Sequence, residues 1–197
     1  MTSPSEPEAQ VVGTFWIVEL ARPLPTAPVP RQPATFLRLD PEDVGELAQA
    51  MRCADAEPVR QRFGAGKHCY AARIENALAT YGWVTFDQEN IGELGLSIHL
   101  APDDAYIWDC ATLPAYRGQH LYAALLAYMV RALRDMGLRR AWIGADAENL
   151  PSQAGMARAG FRPAVDMVFS PASPGLRLRG RPGEPEQLVS AIRAALR

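Results

Sequence analysis

The chain has a single lysine, Lys67, no excess of positive charge and no long apolar run. Its 20 basic residues stand against 22 acidic residues, which gives a formal net charge of −2 at pH 7. A surface that binds nucleic acid usually carries a basic excess, so this balance argues against such a partner. No stretch approaches the roughly 20 apolar residues that a membrane-spanning helix needs. We therefore expect neither nucleic acid nor a membrane among the partners.

Cysteine is also scarce, and the three present are Cys53, Cys69 and Cys110. Their odd number and their spacing favour free thiols over a disulfide scaffold or a metal site. The first ten residues, MTSPSEPEAQ, lack the basic and apolar regions of a signal peptide and are expected to form a disordered tail. These features predict a cytoplasmic protein that holds no metal.

The composition is that of a globular domain, with 197 residues, 48% hydrophobic and 21% charged. The β-branched and aromatic run VVGTFWIVEL (Val11–Leu20) predicts a strand. Five prolines in residues 21–33 predict an extended connector after it. We therefore expect this first strand to be an extension or an added edge strand. An edge strand invites pairing with a second subunit, so a homodimer is one alternative.

Residues 34–172 predict the order β-α-α-β-β-β-β-α-β-α-β. Asp40 is a candidate N-cap for a helix that ends near Arg52. Four strand-like runs between residues 68 and 113 are joined by short turns, which predicts an antiparallel meander. A proline- and glycine-rich stretch and a closing helix are expected in residues 173–197. The fold class is therefore α/β (α+β), with a mixed, mostly antiparallel sheet flanked by helices.

The strand–helix join LPAYRGQHLYAALL, residues 113–126, carries the first candidate site. The first turn of a helix has unpaired N–H groups and a partial positive charge, which favour anions such as phosphate. Gly118 lets the backbone approach a ligand closely, and the Arg117 guanidinium is suited to pairing with phosphate oxygens. The join is either a simple turn or an anion site.

The same stretch resembles the acyl-coenzyme A loop of the GNAT N-acetyltransferase superfamily, whose motif reads Gln/Arg-x-x-Gly-x-Gly/Ala. The matching residues are Thr112, Pro114, Tyr116, Arg117, Gly118, Leu125 and Leu126. Downstream, ENLPSQAGMARAGF resembles that family's Asn-x-x-Ser/Ala helix ending in Gly-Phe, through Asn149, Ser152, Gly160 and Phe161. The resemblance extends over about Ala34–Phe169 and implies the GNAT fold.

The resemblance implies acetyl-coenzyme A as cosubstrate. It places the pantetheine arm between a strand at 105–113 and a diverging parallel strand at 140–145, with the pyrophosphate at the loop. The residues that it implies for coenzyme binding are Cys110, Thr112, Leu113, Arg117, Gly118, Gln119, His120, Leu121, Tyr122, Asn149 and Ser152. For Asn149, a helix N-cap is the alternative.

Three residues depart from the family pattern. His120 and Tyr122 stand where the motif ends in Gly-x-Gly/Ala. A side chain at position 120 either crowds the pyrophosphate or donates a hydrogen bond to it. Met156 stands where many members of the family have a tyrosine that protonates the leaving thiolate.

Direct attack of an amine on a thioester is helped by a general base and by a backbone donor for the oxyanion. The catalytic candidates are Glu93, Asp109 and Tyr106. Glu93 is either a base or a residue on the solvent face of its strand. Asp109 is either a base or substrate contact, or it makes a structural hydrogen bond. Tyr106 stands where some members of the family carry a basic glutamate, and substrate contact or packing is expected for it. Cys110 has no matching histidine and is not predicted to be a nucleophile.

The sequence therefore predicts an acyl-coenzyme A-dependent N-acetyltransferase that acts on an amine of a small molecule or peptide. The alternative is a non-catalytic acyl-coenzyme A-binding or protein-interaction module on the same fold. The acceptor itself is not indicated by any motif.

Overall fold

The computed structural model describes residues 10–91, 95–170 and 173–196. The elements in chain order are β1 (Gln10–Glu19), β2 (Thr35–Leu39), α1 (Val44–Ala50), α2 (Glu57–Gly64), β3 (His68–Ile74), β4 (Ala77–Thr85), β5 (Gln88–Ile91), β6 (Leu96–His99), β7 (Asp104–Thr112), α3 (Leu121–Asp135), β8 (Arg140–Asp146), α4 (Leu150–Arg158), β9 (Arg162–Ser170), β10 (Ser173–Gly180) and α5 (Glu186–Ala195). The helix predicted from Asp40 begins as a 3₁₀ turn at Pro41–Asp43, and α1 follows it.

One large sheet organises the chain. Its eight strands lie in the order β10-β9-β1-β8-β7-β4-β3-β2, and β5 and β6 form a separate hairpin. Within the described ranges, β7 and β8 make the one parallel pair, and the other neighbours are antiparallel. The prediction of a mixed, mostly antiparallel sheet is therefore confirmed.

Helices cover both faces of this sheet. On one face, α3 and α4 bury apolar side chains that include Leu125, Met129 and Met156. On the other face, α5 packs on the β9–β1–β8 side through Leu188 and Ile192. The helices α1 and α2 cover the β3–β4 side of that same face through buried residues that include Leu47 and Val59. The sheet is thus buried on both faces, as in other layered α/β domains. Among the described residues, no helix has the length and apolar character to cross a membrane.

The first strand is internal, so the expectation of an edge strand is wrong. β1 pairs antiparallel with β8 on one side and with β9 on the other. Its side chains alternate between the two cores, with Phe15 and Ile17 in one and Trp16 and Val18 in the other. Because both edges of β1 are paired, it is not available for strand pairing with a second subunit, and the edge strands of the described sheet are β10 and β2. Strand propensity alone carries no information about such long-range pairing.

A buried carboxylate joins the strands on this side of the sheet. Asp166 on β9 accepts a hydrogen bond from Thr14 Oγ1 of β1 (2.9 Å) and one from Arg181 Nε (2.8 Å). Burial raises the pKa of this carboxyl, but the hydrogen bonds from Arg181 and Thr14 outweigh burial, so the pKa lies below its ordinary value. Asp166 therefore stays ionised and ties β1 and β9 to the residue that follows β10.

Two further expectations are corrected. The predicted meander is interrupted, because the β5–β6 hairpin leaves the sheet and β7 pairs directly with β4. Both edges of β4 are already taken by β3 and β7, which leaves no position for the hairpin between them. The proline- and glycine-rich stretch contains a strand, β10, whose residues Leu176–Gly180 pair with β9.

The internal position of β1 makes a testable prediction about stability. Ile17 is fully buried, so Ile17→Ala should lower the free energy of unfolding by about 2–5 kcal/mol, as large-to-small core substitutions do. Val12, on the same strand, is 37% exposed, and Val12→Ala should cost less than about 1 kcal/mol. Urea unfolding of both variants measures the difference. Equal, small losses would mean that β1 is a dispensable addition to the sheet.

Candidate active site

The parallel strands β7 and β8 separate partway along their length. Their register runs from Asp104↔Arg140 to Ile107↔Ile143 and stops there. Beyond that point β7 continues beside β4 to Thr112, and β8 continues beside β1 to Asp146. The facing edges of the two strands therefore have no strand partner in the described part of the chain. This divergence is the one that the resemblance implies.

A β-bulge in β7 lies at the start of this gap. The pairs Tyr81↔Ala111 and Trp83↔Trp108 enclose one residue of β4 but two residues of β7, Asp109 and Cys110. Asp109 has the left-handed backbone angle φ 43°. A bulge of this kind bends its strand and redirects a side chain. The bulge thus moves β7 away from β8 and turns Asp109 toward the opening.

A cleft of about 680 Å³ occupies the gap. Its lining residues are Phe15, Arg62, Glu89, Asn90, Ile91, Tyr106, Ile107, Trp108, Asp109, Cys110, Tyr122, Ile143, Gly144, Ala145, Asp146, Asn149, Ser152 and Met167. Six residues that the sequence analysis selected meet here from three elements and one helix cap, namely Tyr106, Asp109, Cys110, Tyr122, Asn149 and Ser152. Glu93 lies outside the described residues.

Asp109 is paired. Its Oδ2 lies 2.5 Å from Arg62 Nη1, and the two side chains are 33% and 23% exposed. The Arg62 guanidinium lies over the Trp108 ring at 4.4 Å and near the Trp83 ring at 5.2 Å. The bulge brings the Asp109 side chain to the surface of the cleft. Asp109 thus makes the structural hydrogen bond of the two alternatives, as part of an ion pair, and its role as a base or substrate contact stays a prediction.

Tyr106 is buried, at 6% exposure, and sits opposite Thr85 on β4 and Trp142 on β8. Its hydroxyl reaches β8, since a Cβ built on Gly144 would lie 3.3 Å from that oxygen. The ring therefore forms part of the floor of the cleft, and the tight fit to Gly144 shows how closely it packs there.

Tyr122 projects from the first turn of α3 toward α4. Its hydroxyl accepts a hydrogen bond from Ser152 Oγ (3.2 Å), and its ring lies against Gly155, where any Cβ would clash with it. Burial raises the pKa of the Tyr122 phenol well above its ordinary value, with a further contribution from Cys110, so the group stays protonated. A neutral phenol therefore faces the cleft between the two helices.

Asn149, the N-cap of α4, and Met156, within α4, have structural contacts. Asn149 Oδ1 accepts a hydrogen bond from the Ser152 N–H (3.2 Å), which is the N-cap alternative. Asn149 also lines the cleft, so a role toward the coenzyme stays a prediction. Met156 is 1% exposed and belongs to the core under α3, so it presents no group to the cleft.

The Cys110 thiol is packed inside the sheet. A Cβ on Gly82 would lie 2.6 Å from Cys110 Sγ, which shows that the sulfur fills the space above that glycine. Burial raises the pKa of this thiol, so it stays protonated and is a poor nucleophile. Any contribution of Cys110 to ligand binding would therefore come from its backbone.

The loop before α3 has the geometry of an anion site. Gly118 (φ 73°) and His120 (φ 62°) are both left-handed, and the first helical hydrogen bond runs from the Ala124 N–H to His120 O (3.1 Å). The N–H groups of residues 121–123 precede that bond, and among the described residues no side chain caps this helix. Leu121 itself is buried beneath the loop.

Arg117 and its neighbours connect this loop to β7. Arg117 Nε donates to Thr112 O (3.2 Å), and the Leu113 N–H donates to Ala79 O (2.9 Å). The Gln119 carbonyl accepts from the N–H of Arg31 in the proline-rich connector (3.1 Å). Backbone groups predicted to bind pantetheine at Thr112 and Leu113 thus already have protein partners, whereas the edge at the bulge does not pair with a strand in the described chain.

Sequence reasoning missed Arg62, Glu89 and Asp146. Glu89 is 9% exposed and its Oε2 lies 2.5 Å from Lys67 Nζ, the one lysine of the chain. Asp146 is exposed where β8 ends. No motif surrounds any of the three residues. They reach the cleft because α2, the β5–β6 hairpin and β8 converge on it, and only the isolation of Lys67 in the sequence was a usable signal.

Comparisons with known proteins agree with this geometry. The sequence model of the acetyltransferase (GNAT) family matches residues 37–161. A GNAT-family acetyltransferase from Colwellia psychrerythraea superposes with a TM-score of 0.57 at 14% identity, over 83% of this chain and 56% of that chain. A putative GNAT acetyltransferase from Novosphingobium aromaticivorans gives 0.55 at 20% identity, over 85% and 67%.

A third solved structure carries a ligand. It is a putative acetyltransferase from Salmonella typhimurium with its cofactor acetyl-CoA, with a TM-score of 0.53 at 16% identity, over 74% of this chain and 90% of that chain. At these identities the likeness concerns the fold. The chain spans only about half of the Colwellia protein. No curated protein matches the sequence.

The left-handed backbone at His120 can be tested by substitution. His120→Gly removes the steric cost of that conformation and should leave the free energy of unfolding unchanged or raise it by up to about 1 kcal/mol. His120→Val places a β-branched residue there and should lower it by about 1–2 kcal/mol. Chemical denaturation measures both. A valine variant as stable as the glycine variant would contradict the left-handed assignment.

Proposed function

Because the chain belongs to the GNAT acetyltransferase family, we propose that it transfers an acetyl group from acetyl-coenzyme A to an amine. The observation that carries the proposal is the cleft where β7 and β8 separate, with the uncapped start of α3 beside it. A gap between parallel strands accepts a narrow chain that carries amides, and a helix start accepts phosphates. Coenzyme A has both parts, since its pantetheine arm carries amides and is followed by a pyrophosphate.

The coenzyme would lie across these two features. The pyrophosphate would accept hydrogen bonds from backbone N–H groups of the Gly118–Tyr122 segment and from Arg117. The pantetheine amides would pair with the free strand edges near Cys110 and at the end of β8, in the manner of an added strand. The His120 side chain is exposed at the start of α3.

Transfer would proceed by direct attack within a ternary complex. An amine loses a proton to a base, its nitrogen attacks the thioester carbonyl, and a backbone N–H stabilises the oxyanion. The C–S bond then breaks and the thiolate takes up a proton. Asp109, at the cleft, and Glu93 stay the candidates for the base, and Tyr106 forms part of the floor of the cleft.

Tyr122 is suited to donate to the departing thiolate. Its hydroxyl is hydrogen-bonded to Ser152 Oγ (3.2 Å), and Tyr122 lines the cleft. Burial raises the pKa of the phenol, so the hydroxyl carries its proton before the thiolate leaves. Met156, the residue at the family's usual tyrosine position, is buried in the core and has no proton to give. Without a role for Tyr122, the alternative of a non-catalytic coenzyme-binding module would gain support.

Coenzyme binding is the first test. Acetyl-coenzyme A at a hundredfold excess over Kd should stabilise the fold by about 2.7 kcal/mol and raise Tm accordingly. Arg117→Ala should weaken binding about tenfold or more, because a charge-assisted hydrogen bond is lost. Arg134→Ala, an exposed arginine near the far end of α3, is the control. Isothermal titration of the three proteins decides. Full affinity in Arg117→Ala would disprove this account of the loop.

Turnover is the second test. Tyr122→Phe should lower kcat about tenfold or more while coenzyme affinity stays within twofold, because the lost proton donor acts in the transition state. Tyr128→Phe lies on the same helix but packs against Phe36 and Tyr70, so it should keep wild-type kcat. Release of free thiol with a panel of amines measures both. An undiminished kcat in Tyr122→Phe would remove Tyr122 from the mechanism.

A further inference from the structure

We propose that the acceptor is a small zwitterion, an α-amino acid, which binds by replacing the Arg62–Asp109 ion pair with two ion pairs of its own. Its carboxylate would take Arg62 and its ammonium would take Asp109. The proposal rests on the acetyltransferase function above and narrows the acceptor to one chemical class.

The ion pair is placed where an acceptor must bind. Arg62 comes from the last turn of α2 and Asp109 from the bulge of β7, and both line the cleft between the diverging strands. The contact joins one nitrogen, Arg62 Nη1, to one oxygen, Asp109 Oδ2, at 2.5 Å. A guanidinium fork can hold a carboxylate through two parallel hydrogen bonds. The single contact therefore leaves capacity on both partners for a ligand.

Arg62 is fixed independently of Asp109. Its guanidinium lies over the rings of Trp108 (4.4 Å) and Trp83 (5.2 Å), and Phe63 packs against Trp83 at 5.1 Å between ring centroids. Stacking on aromatic faces holds the planar group in one orientation. An incoming carboxylate thus finds a preorganised cation, and no reorganisation of Arg62 is needed when Asp109 is displaced from it.

Charge balance favours a zwitterion over a simple amine. An ammonium that approached Asp109 without a carboxylate would lie next to the Arg62 cation, and like charges in a partly desolvated site repel. The α-carboxylate of an amino acid offsets that repulsion, because it neutralises Arg62 within a few bonds of the ammonium. One internal ion pair becomes two, and no charge is left without a partner.

The other carboxylates of the cleft are less suited to the ammonium. Glu89 is 9% exposed and already held by Lys67, which itself lies 4.8 Å from the Trp108 ring. Asp146 is exposed at the far end of β8, beyond Gly144 and Ala145. Among the carboxylates of the described cleft lining, Asp109 alone combines exposure to the cleft with a cationic partner that a zwitterion can take over.

The exchange also supplies the base. With Arg62 occupied by the substrate carboxylate, Asp109 accepts one proton from the ammonium and the neutral nitrogen attacks the thioester carbon. The N–C bond forms and the C–S bond breaks. Tyr122 gives its proton to the departing thiolate, and a second proton from the attacking nitrogen then reprotonates Tyr122. Asp109 returns its proton to solvent, so one acetylated amino acid, one free coenzyme A and one proton leave.

The test compares acceptors that differ only in the carboxylate. Thiol release from acetyl-coenzyme A is measured with the common L-α-amino acids, with their amides and with the corresponding decarboxylated amines. The best amino acid should exceed its own amide and amine at least about tenfold in kcat/KM. Amides or amines that react as well as the acid overturn the proposal while the acetyltransferase function stands. If none of the acceptors tested is turned over, both the amino-acid proposal and the proposed acetyltransferase function are overturned.

A variant of Arg62 separates recognition from folding. Arg62→Gln should remove the preference, so that the ratio of kcat/KM between acid and amide falls about tenfold or more. Arg60→Gln, exposed on the same helix and paired with Glu57, should leave the ratio unchanged. If Arg62 had only a structural role, Arg62→Gln would lower kcat/KM for the acid and the amide by the same factor. An unchanged ratio would therefore overturn the proposal. Asp109→Asn should lower kcat for the acid and the amide alike, with unchanged coenzyme affinity. An unchanged kcat would overturn the role of Asp109 as the base.

Discussion

The end of pairing between β7 and β8 is the constraint on which the rest of the site depends. Parallel strands joined by a crossover helix bring the helix start to the carboxyl end of the first strand. Here the crossover is α3, so its unpaired N–H groups lie at the mouth of the gap that opens after Ile107 and Ile143. If the two strands stayed paired to their ends, their backbone groups would satisfy each other and no extended ligand would find an open edge. The bulge at Asp109 is the local device that prevents this.

The gap is held open from both outer sides. β4 pairs with β7 as far as Thr112, and β1 pairs with β8 as far as Asp146. Neither strand is therefore free to move toward the other, although the edge that each presents to the gap is unsatisfied by strand pairing. β1, in the middle of the sheet, is thus the outer support of β8. Asp166 reinforces it, because Thr14 and Arg181 both donate to that one buried carboxylate.

The sequence predicts local features of this architecture well and non-local ones poorly. The sequence indicates the helical period of α3, the turn before it and the possible cap at Asn149, since each depends on residues a few positions apart. The internal place of β1 was not, because its propensity is the same at an edge as in the centre of a sheet. Arg62 could not be predicted for the same reason, since its partner Asp109 is 47 positions away. Asp109 was selected as a polar residue in a predicted strand, but only the strand register shows that a bulge exposes it.

The structure shows that two of the departures from the family motif, Tyr122 and Met156, lie on neighbouring helices. Tyr122 occupies the last glycine or alanine position of the loop motif, and Met156 occupies the usual tyrosine position on the following helix. Gly155, the residue before Met156, lies under the Tyr122 ring and leaves space that a Cβ would fill. A phenol on α3 therefore takes a position beside α4, its hydroxyl bonded by Ser152. Each change alone would suggest a damaged site. In the proposed mechanism, Tyr122 on α3 would replace the tyrosine of the following helix as proton donor, and Gly155 leaves the space for its ring.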